Sequence, residues 1–326
     1  MTLLSKYIIH LFLFTAIVNA SAFADTTSFQ VTPDGTVIDQ AGRHIKVRQP
    51  YTRIISLYGA HTENLFSLGL KKEIVGVSRN EVYPPEATAK PVFSYHDDPE
   101  KFMATAPDLV LIRPMIDRGY PQLVRRLEQS GITVVSLQPG NIREMYVYWD
   151  ILGALTGKRE VARQIIDTFQ KQVAQLRLRV KPIHPKKRVY FEAIHKRMKT
   201  FTPDSMAIFV LETAGGVNVA QDAEPVRNTN IAFYGKERIL SHADEIDVFI
   251  AQFGAMNRPT ITMIENESGF SAIKAIKNGQ ILIIDEMIVS RPTPRLIHGI
   301  YKIGRFLYPE KFQRYTGKTQ KRQKKI

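Results

Sequence analysis

Short apolar runs alternate with amphipathic segments along most of the chain. Runs rich in Ile, Val and Leu occur at 53–57, 74–77, 109–112, 133–137, 188–194, 248–252 and 281–284. Segments with helical periodicity lie between them, at 62–68, 121–130, 205–213, 271–276 and 294–307. Strands that alternate with helices in this way are typical of parallel sheets covered by helices on both faces.

One segment in the middle of the chain has a different pattern. From 158 to 181 there is neither Gly nor Pro, apolar side chains recur at helical spacing from Val161 to Leu176, and Pro182 follows. These features predict one unbroken helix, roughly 35 Å long at 1.5 Å per residue. The predicted fold class is therefore α/β: two lobes, each a parallel-sheet α/β sandwich, joined by one long rigid helix.

The two halves of the chain also resemble each other in detail. Residues 106–112 parallel residues 245–251, and residues 130–135 parallel residues 277–282. Two similar lobes that face each other form a cleft, which is a common place for a ligand. We expect a signal peptide and four further segments: 1–24, signal peptide; 25–157, N-terminal lobe; 158–181, inter-lobe helix; 182–309, C-terminal lobe; 310–326, basic flexible tail.

The first 24 residues have the composition of a secretory signal. Lys6 precedes an apolar stretch that is too short to span a bilayer, and a run of small residues ends at Ala24. The chain contains no Cys, so it has no site for a lipid anchor, a disulfide or a thiolate-bound metal. We expect export to the periplasm, with cleavage after Ala24 and no lipid anchor.

The chain is strongly basic, with a formal net charge of +14. Removal of residues 1–24, whose one charged side chain is Lys6, leaves +13. Seven of these charges lie near the C-terminus, at Lys311, Arg314, Lys318, Lys321, Arg322, Lys324 and Lys325. Such a run is typical of a solvated chain end, and contact with anionic lipid is the alternative. Without a recognition motif, nucleic acid is not expected as a partner, and the charge favours an anionic small ligand.

Cationic and aromatic residues follow the predicted strands in both halves. Ligands of open α/β sheets bind beyond the carboxyl ends of the strands, so these positions are the candidate site. The candidate ligand-binding residues are Tyr58, His61, Tyr95, Arg113, Arg197, Arg258 and Arg291. Arginine pairs with carboxylate or catecholate oxygens through two parallel hydrogen bonds, while Tyr and His pack on flat ligands. The set predicts an anionic, partly aromatic ligand.

Other classes of site remain as alternatives. His61 is a candidate metal ligand if His195, His242, His298 or Asp285 converges on it, as a zinc- or manganese-binding protein would require. The sequence lacks the hydrolase, zinc-protease, phosphate-loop and dinucleotide motifs, so we expect neither catalysis nor a resident cofactor or metal. A nitrogenase-like oxidoreductase component would need cysteine ligands for a cluster, and the chain has none.

From Val37 to Tyr308 the chain resembles the periplasmic binding proteins of cobalamin and iron-siderophore ABC importers, the group with a helical backbone between its lobes. The pieces that carry the resemblance include Thr62-Glu63, Tyr83-Pro84-Pro85, Ala106-Pro107-Asp108-Leu109-Val110, Leu211-Glu212 with Gly215-Gly216, and Ser290 to Arg295. Each piece is short, but their order and spacing are specific to the family.

The resemblance implies a monomeric carrier that holds a metal chelate between its lobes and delivers it to an inner-membrane ABC permease. One glutamate on each lobe of such proteins pairs with permease arginines, and by motif these are Glu63 and Glu212. Tyr58, Tyr95, Arg113, Arg197 and Arg291 fall on the family's pocket loops. Cobalamin binders carry Trp in some of those loops, whereas Trp149 lies elsewhere. A ferric siderophore is therefore expected first, and a corrinoid or haem next.

Overall fold

The computed structural model describes residues 29–79, 81–226 and 229–312. The predicted signal peptide lies outside the described residues, as do residues 313–326 of the predicted tail. Within the described ranges, no helix is both long enough and apolar enough to cross a bilayer.

The N-terminal lobe begins with a small antiparallel sheet and continues with a parallel one. The small sheet contains β1 (Gln30–Val31), β2 (Thr36–Ile38) and β3 (His44–Lys46). The parallel sheet contains β4 (Ile54–Ser56), β5 (Ile74–Ser78), β6 (Val92–Phe93), β7 (Leu109–Ile112) and β8 (Thr133–Ser136), in the order β6-β5-β4-β7-β8. Its helices are α1 (Gly59–Ser67), α2 (Pro99–Ala104), α3 (Pro114–Gly119), α4 (Pro121–Gln129) and α5 (Ile142–Thr156). Every residue of β4 and β7 is buried, because helices cover both faces of the sheet.

The long central helix, α6 (Arg159–Val180), is present as predicted and ends before Pro182. Its 22 residues correspond to roughly 33 Å. One stripe of the helix is buried, including Phe169, Val173 and Leu176, while the opposite face is solvated. This amphipathic pattern fits a helix that packs along both lobes.

The C-terminal lobe is built on a mixed sheet. Its strands are β9 (Arg188–Ile194), β10 (Lys199–Phe201), β11 (Val217–Asn218), β12 (Ile231–Phe233), β13 (Val248–Phe253) and β14 (Ile281–Asp285). Its helices are α7 (Met206–Thr213), α8 (Lys236–Ser241), α9 (Ile261–Glu265), α10 (Lys274–Lys277) and α11 (Leu296–Leu307). The order is β12-β10-β9-β13-β14, with β11 beside β9. The two-lobed α/β fold is confirmed, and the second sheet is mixed, because β10 is antiparallel to β9 and β12.

A single hydrophobic cluster runs from one lobe into the other through the central helix. Trp149 of α5 meets the ring of Phe169 of α6 edge to face, with centroids 5.4 Å apart. Phe169 in turn stacks on Phe209 of α7 at 6.3 Å. Because packed interiors resist deformation, this continuous core joins the lobes more firmly than a loop would.

The end of the C-terminal lobe lies beyond the predicted boundary at residue 309. Phe312 is 1% exposed and packs so closely on α11 that a Cβ on Gly304 would stand 2.3 Å from its ring. The guanidinium of Arg179 lies 5.7 Å from the same ring. The first residues assigned to a flexible tail therefore belong to the packed lobe.

Candidate functional site

Three of the predicted site residues meet between the lobes. Tyr58 follows β4, Arg113 follows β7, and Arg291 lies between β14 and α11. The guanidinium carbon of Arg113 is 4.8 Å from the centre of the Tyr58 ring. Arg291 reaches across from the C-terminal lobe and lies against Gly59, the residue after Tyr58. The carboxyl ends of strands from both lobes thus place two guanidinium groups beside one tyrosine.

The position of Arg291 requires a glycine at residue 59. A Cβ at that position would stand 2.3 Å from Nη1 of Arg291. The backbone after Arg291 is held as well, because the carbonyl oxygen of Pro292 accepts hydrogen bonds from Asn64 Nδ2 at 3.0 Å and from Trp149 Nε1 at 3.1 Å. The backbone next to Arg291 is therefore held by side chains of the N-terminal lobe.

Several buried polar atoms at this place have no hydrogen-bond partner in the described part of the chain. They are Nε of Arg113, Nη1 of Arg291 and Oε2 of Glu81. Buried polar groups are almost always paired in native proteins, so these two guanidinium nitrogens are free to donate hydrogen bonds to an anion. Burial raises the pKa of the Tyr58 hydroxyl, although Arg113 and Arg291 oppose the shift. Tyr58 is therefore neutral at ordinary pH and can donate a hydrogen bond.

Glu81 is a member of the site that our sequence analysis missed. It follows β5, its side chain is 3% exposed, and Oε2 lies 4.0 Å from Nη1 of Arg291. Burial raises the pKa of its carboxyl group, while the hydrogen bond from Ser78 and the charge of Arg291 oppose the rise. The sequence did contain the signal, an acid beyond a strand end, but we sought cationic and aromatic residues at those positions.

His61 was assigned wrongly to the ligand pocket. Its side chain is fully buried inside the N-terminal lobe, where Nδ1 lies 2.6 Å from the Tyr148 hydroxyl and Nε2 lies 3.1 Å from the carbonyl oxygen of Ile112. Burial lowers the pKa of His61 to about 3. Since both ring nitrogens are engaged by the protein, His61 holds α1 against the core and has no free atom for a ligand or a metal.

Tyr95 belongs to a second aromatic group, at the edge of the N-terminal lobe. Its ring centroid is 4.7 Å from that of Tyr120 and 4.5 Å from that of His96. The Tyr120 hydroxyl lies 3.2 Å from Nδ1 of His96. This group is half-buried, and in the described residues no ring or guanidinium contact joins it to Tyr58.

Arg197 and Arg258 lie on exposed loops of the C-terminal lobe. Neither makes an ion pair with a described residue, and the structure does not bring them to Tyr58. Their loops are tied together, since the backbone N–H of His195 donates to Asn257 Oδ1 at 3.0 Å. Nδ1 of His195 lies 2.8 Å from Glu192, and this hydrogen bond raises the pKa of His195 despite partial burial. His195 is therefore paired with the buried Glu192 inside the C-terminal lobe.

The two glutamates assigned to permease docking differ in exposure. Glu63 is 1% exposed, its Oε1 lies 2.8 Å from Nε of Arg295, and it accepts a hydrogen bond of 2.8 Å from Thr293. The structure therefore contradicts a surface role for Glu63, because an inter-lobe ion pair encloses the carboxylate. Glu212 is exposed in the last turn of α7, beside an open groove of about 200 Å³ lined also by Asn141 and Asp204.

A bare-metal site has no support in the described residues, which contain no group of three or more His, Cys, Asp or Glu side chains that could hold an ion. Two of the histidines considered for this role are paired with acids instead: His195 with Glu192, and His242 with Glu245 at 3.2 Å. Two of the three unpartnered polar atoms at the candidate ligand site between the lobes are guanidinium nitrogens, which repel a cation.

Comparison with known proteins gives relatives that share both the length and the architecture of this chain. It is 25% identical to an uncharacterized ABC transporter substrate-binding lipoprotein of Bacillus subtilis, over 90% of this chain and 91% of that protein. It is 24% identical to the vitamin B12-binding protein of Vibrio cholerae, over 79% of this chain and 90% of that protein.

Among solved structures, it resembles a possible iron-binding (periplasmic solute-binding) protein of Staphylococcus epidermidis. The TM-score is 0.69 at 28% identity, over 80% of this chain and 100% of that chain. A family model described as periplasmic binding protein matches residues 54–287, which span both lobes and the helix between them. The chain therefore belongs to the periplasmic binding protein family.

Proposed function

We propose that the chain is the periplasmic solute-binding component of an ABC importer and that it carries an anionic metal chelate between its lobes. The observation that supports this most directly is a pair of buried guanidinium nitrogens without a partner, one from each lobe: Arg113 lies beside the Tyr58 ring and Arg291 lies against Gly59. An anion bound there would satisfy both nitrogens and would hold the two lobes together.

The class of ligand follows from the site and from the named relatives. Tyr58, and Tyr83 with Arg295 3.8 Å from its ring, offer aromatic surface beside the arginines. The relatives include a vitamin B12-binding and a possible iron-binding protein. We propose a ferric siderophore first, and a corrinoid or haem next. The ligand is bound without chemical change: arginines neutralise its charge and aromatic side chains exclude water.

The proposed form of the protein is a monomer that moves freely in the periplasm after loss of residues 1–24. The Bacillus subtilis relative is a lipoprotein, whereas this chain has no Cys to which a lipid could be attached. Mass spectrometry of the protein taken from its own periplasm would show the mature N-terminus, any lipid and any co-purified chelate in one measurement.

The binding proposal is tested by titrating the protein with a ferric catecholate, a ferric hydroxamate, cobalamin and haemin. We expect one class to bind, and we expect Arg113→Met and Arg291→Met each to weaken it by about 10- to 100-fold, the value of a charge-assisted hydrogen bond. Arg163→Met, on the exposed face of α6, is the matched control. Failure of the whole panel to bind, or unchanged affinity in both pocket variants, would reject the proposal.

The enclosure of Glu63 requires another surface for contact with the permease. Glu100 and Glu237 are each the second residue of a helix, α2 and α8, and each helix leads into a central parallel strand, β7 or β13. Both glutamates are exposed. Since these helices start where β6 and β12 end, their first turns lie at the cleft-bearing edge of each lobe. We propose that Glu100 and Glu237 dock the permease, with Glu212 as the alternative contact on the C-terminal lobe.

A further inference from the structure

Two ion pairs among the described residues cross between the lobes, and they differ in geometry. Glu63 and Arg295 are in direct contact at 2.8 Å, and Thr293 donates a hydrogen bond to the same carboxylate oxygen. Glu81 and Arg291 are 4.0 Å apart, and neither Oε2 nor Nη1 makes a hydrogen bond within the described residues. The first pair is in contact, whereas the charges of the second lie 4.0 Å apart with no hydrogen bond between them.

Glu81 is not needed to position Arg291. The guanidinium lies against the backbone at Gly59, and the next residue, Pro292, is fixed by Asn64 and Trp149. Glu81 has its own support, because Ser78 donates to Oε1. The two side chains are thus held by separate parts of the fold. The distance of 4.0 Å between their charged groups is set by the packing of one lobe on the other.

We propose that the carboxylate of Glu81 competes with an anionic ligand for Arg291. It thereby sets how much negative charge a ligand must carry in order to bind. An anion that pairs with Arg291 removes the counter-charge of Glu81, which then stands beside a second negative group. Like charges at this distance disfavour each other strongly, so the carboxylate of Glu81 takes up a proton as the ligand enters. A weakly charged solute cannot displace it, whereas a strongly anionic chelate can. The inference rests on the proposed function.

The groups around Glu81 support proton uptake as the response. Ser78 and Arg291 face its carboxyl group directly, and Tyr58 lies within the field of Glu81, Glu286, Arg113 and Arg291. Burial already raises the pKa of Glu81. A second anion beside it shifts the same equilibrium further toward the neutral acid.

The test uses inorganic sulfate, which has no titratable proton near neutral pH, so that any proton taken up comes to the protein. We expect Glu81→Gln to bind sulfate about tenfold or more tightly than wild type, the usual effect of one nearby charge on such an equilibrium. Glu86→Gln is the matched control, since this exposed acid in the same loop pairs with Lys71. Titrations in buffers of different ionisation enthalpy should show proton uptake in wild type and none in Glu81→Gln.

The results that would overturn this inference differ from those that would reject the proposed function. Equal or weaker sulfate binding by folded Glu81→Gln would show that Glu81 positions Arg291, which overturns the inference. If the variant does not fold, the wild-type protein alone decides, because sulfate binding without proton uptake also overturns it. Absence of sulfate binding in a protein that binds a chelate overturns the inference and leaves the proposed function intact. If Glu81→Gln gains affinity for sulfate but the protein binds no chelate, the competition between Glu81 and the anion stands and the proposed chelate ligand is rejected.

Discussion

The carboxylate of Glu63 in the N-terminal lobe lies 2.8 Å from Nε of Arg295 in the C-terminal lobe; Glu63 is buried, with 1% exposure, and Arg295 is 15% exposed. Thr293 donates a further hydrogen bond to the same carboxylate oxygen. Burial raises the pKa of Glu63, while the charge of Arg295 is the largest opposing influence. The pair connects α1 to the segment before α11, next to the continuous core, and so fixes the lobes at the base of the cleft.

Removal of one partner from this pair should be costly. Glu63→Ala leaves the buried Nε of Arg295 without a counter-ion, for which we expect a loss of about 3–5 kcal/mol in the free energy of unfolding. Glu63→Leu combined with Arg295→Met removes both charges and should be much milder. Urea denaturation measures each variant. A loss below about 1 kcal/mol in Glu63→Ala, similar to that of the exposed pair Glu160–Arg163, would contradict the expectation.

Substitution of Gly59 should affect the ligand more than the fold. In Gly59→Ala the new Cβ takes the space of the Arg291 guanidinium, which can move because it is the end of a flexible side chain. We expect affinity for the bound chelate to fall by about tenfold or more, with a change in unfolding free energy below about 1 kcal/mol, since Ala favours helices. Gly119→Ala has open space around it and is the control. Unchanged affinity of Gly59→Ala for the chelate would show that Arg291 does not contribute to ligand binding.

Charge reversal at the proposed docking residues should separate transport from binding. Glu100→Lys combined with Glu237→Lys places positive charge where permease arginines are expected, so uptake of the chelate by cells with this sole copy should be lost. Chelate affinity in vitro should match wild type, because both residues are exposed outside the pocket. Glu160→Lys, exposed on α6, is the control. Normal uptake by the double variant would reject docking through Glu100 and Glu237 and favour Glu212 as the contact with the permease.

His61 should make the protein less stable in acid. Burial lowers the pKa of His61 from 6.5 to about 3, so the unfolded chain binds a proton below about pH 6.5 that the folded chain does not. Stability from this residue is therefore complete above the unfolded pKa and falls as the pH drops, by about 1.4 kcal/mol per pH unit down to the folded pKa.

The slope is measured by urea unfolding at several pH values between these limits. In His61→Gln the free energy of unfolding should depend less steeply on pH than in wild type. His44→Gln, on the exposed face of β3, should keep the wild-type slope. Identical slopes in wild type and His61→Gln would mean that His61 is protonated inside the fold.

The sequence alone determined the two-lobed α/β architecture and the central helix, because strand and helix periodicities are local properties of the chain. The apolar run at Leu109–Ile112 and the uninterrupted amphipathic segment from Arg159 to Val180 were found where they were predicted. The positions of Tyr58, Arg113 and Arg291 at strand ends were also visible, since the carboxyl edge of a parallel sheet follows from strand order.

Only the tertiary structure decided which polar residues face the cleft and which are enclosed. His61 and Glu63 follow the same strand as Tyr58, yet one is buried by Tyr148 and the other by Arg295. Arg295 is distant in sequence from Glu63 and comes from the other lobe, so no local pattern could reveal the pair. The same holds for Glu81 and Arg291: two charges become partners only when packing of the lobes sets the distance between them.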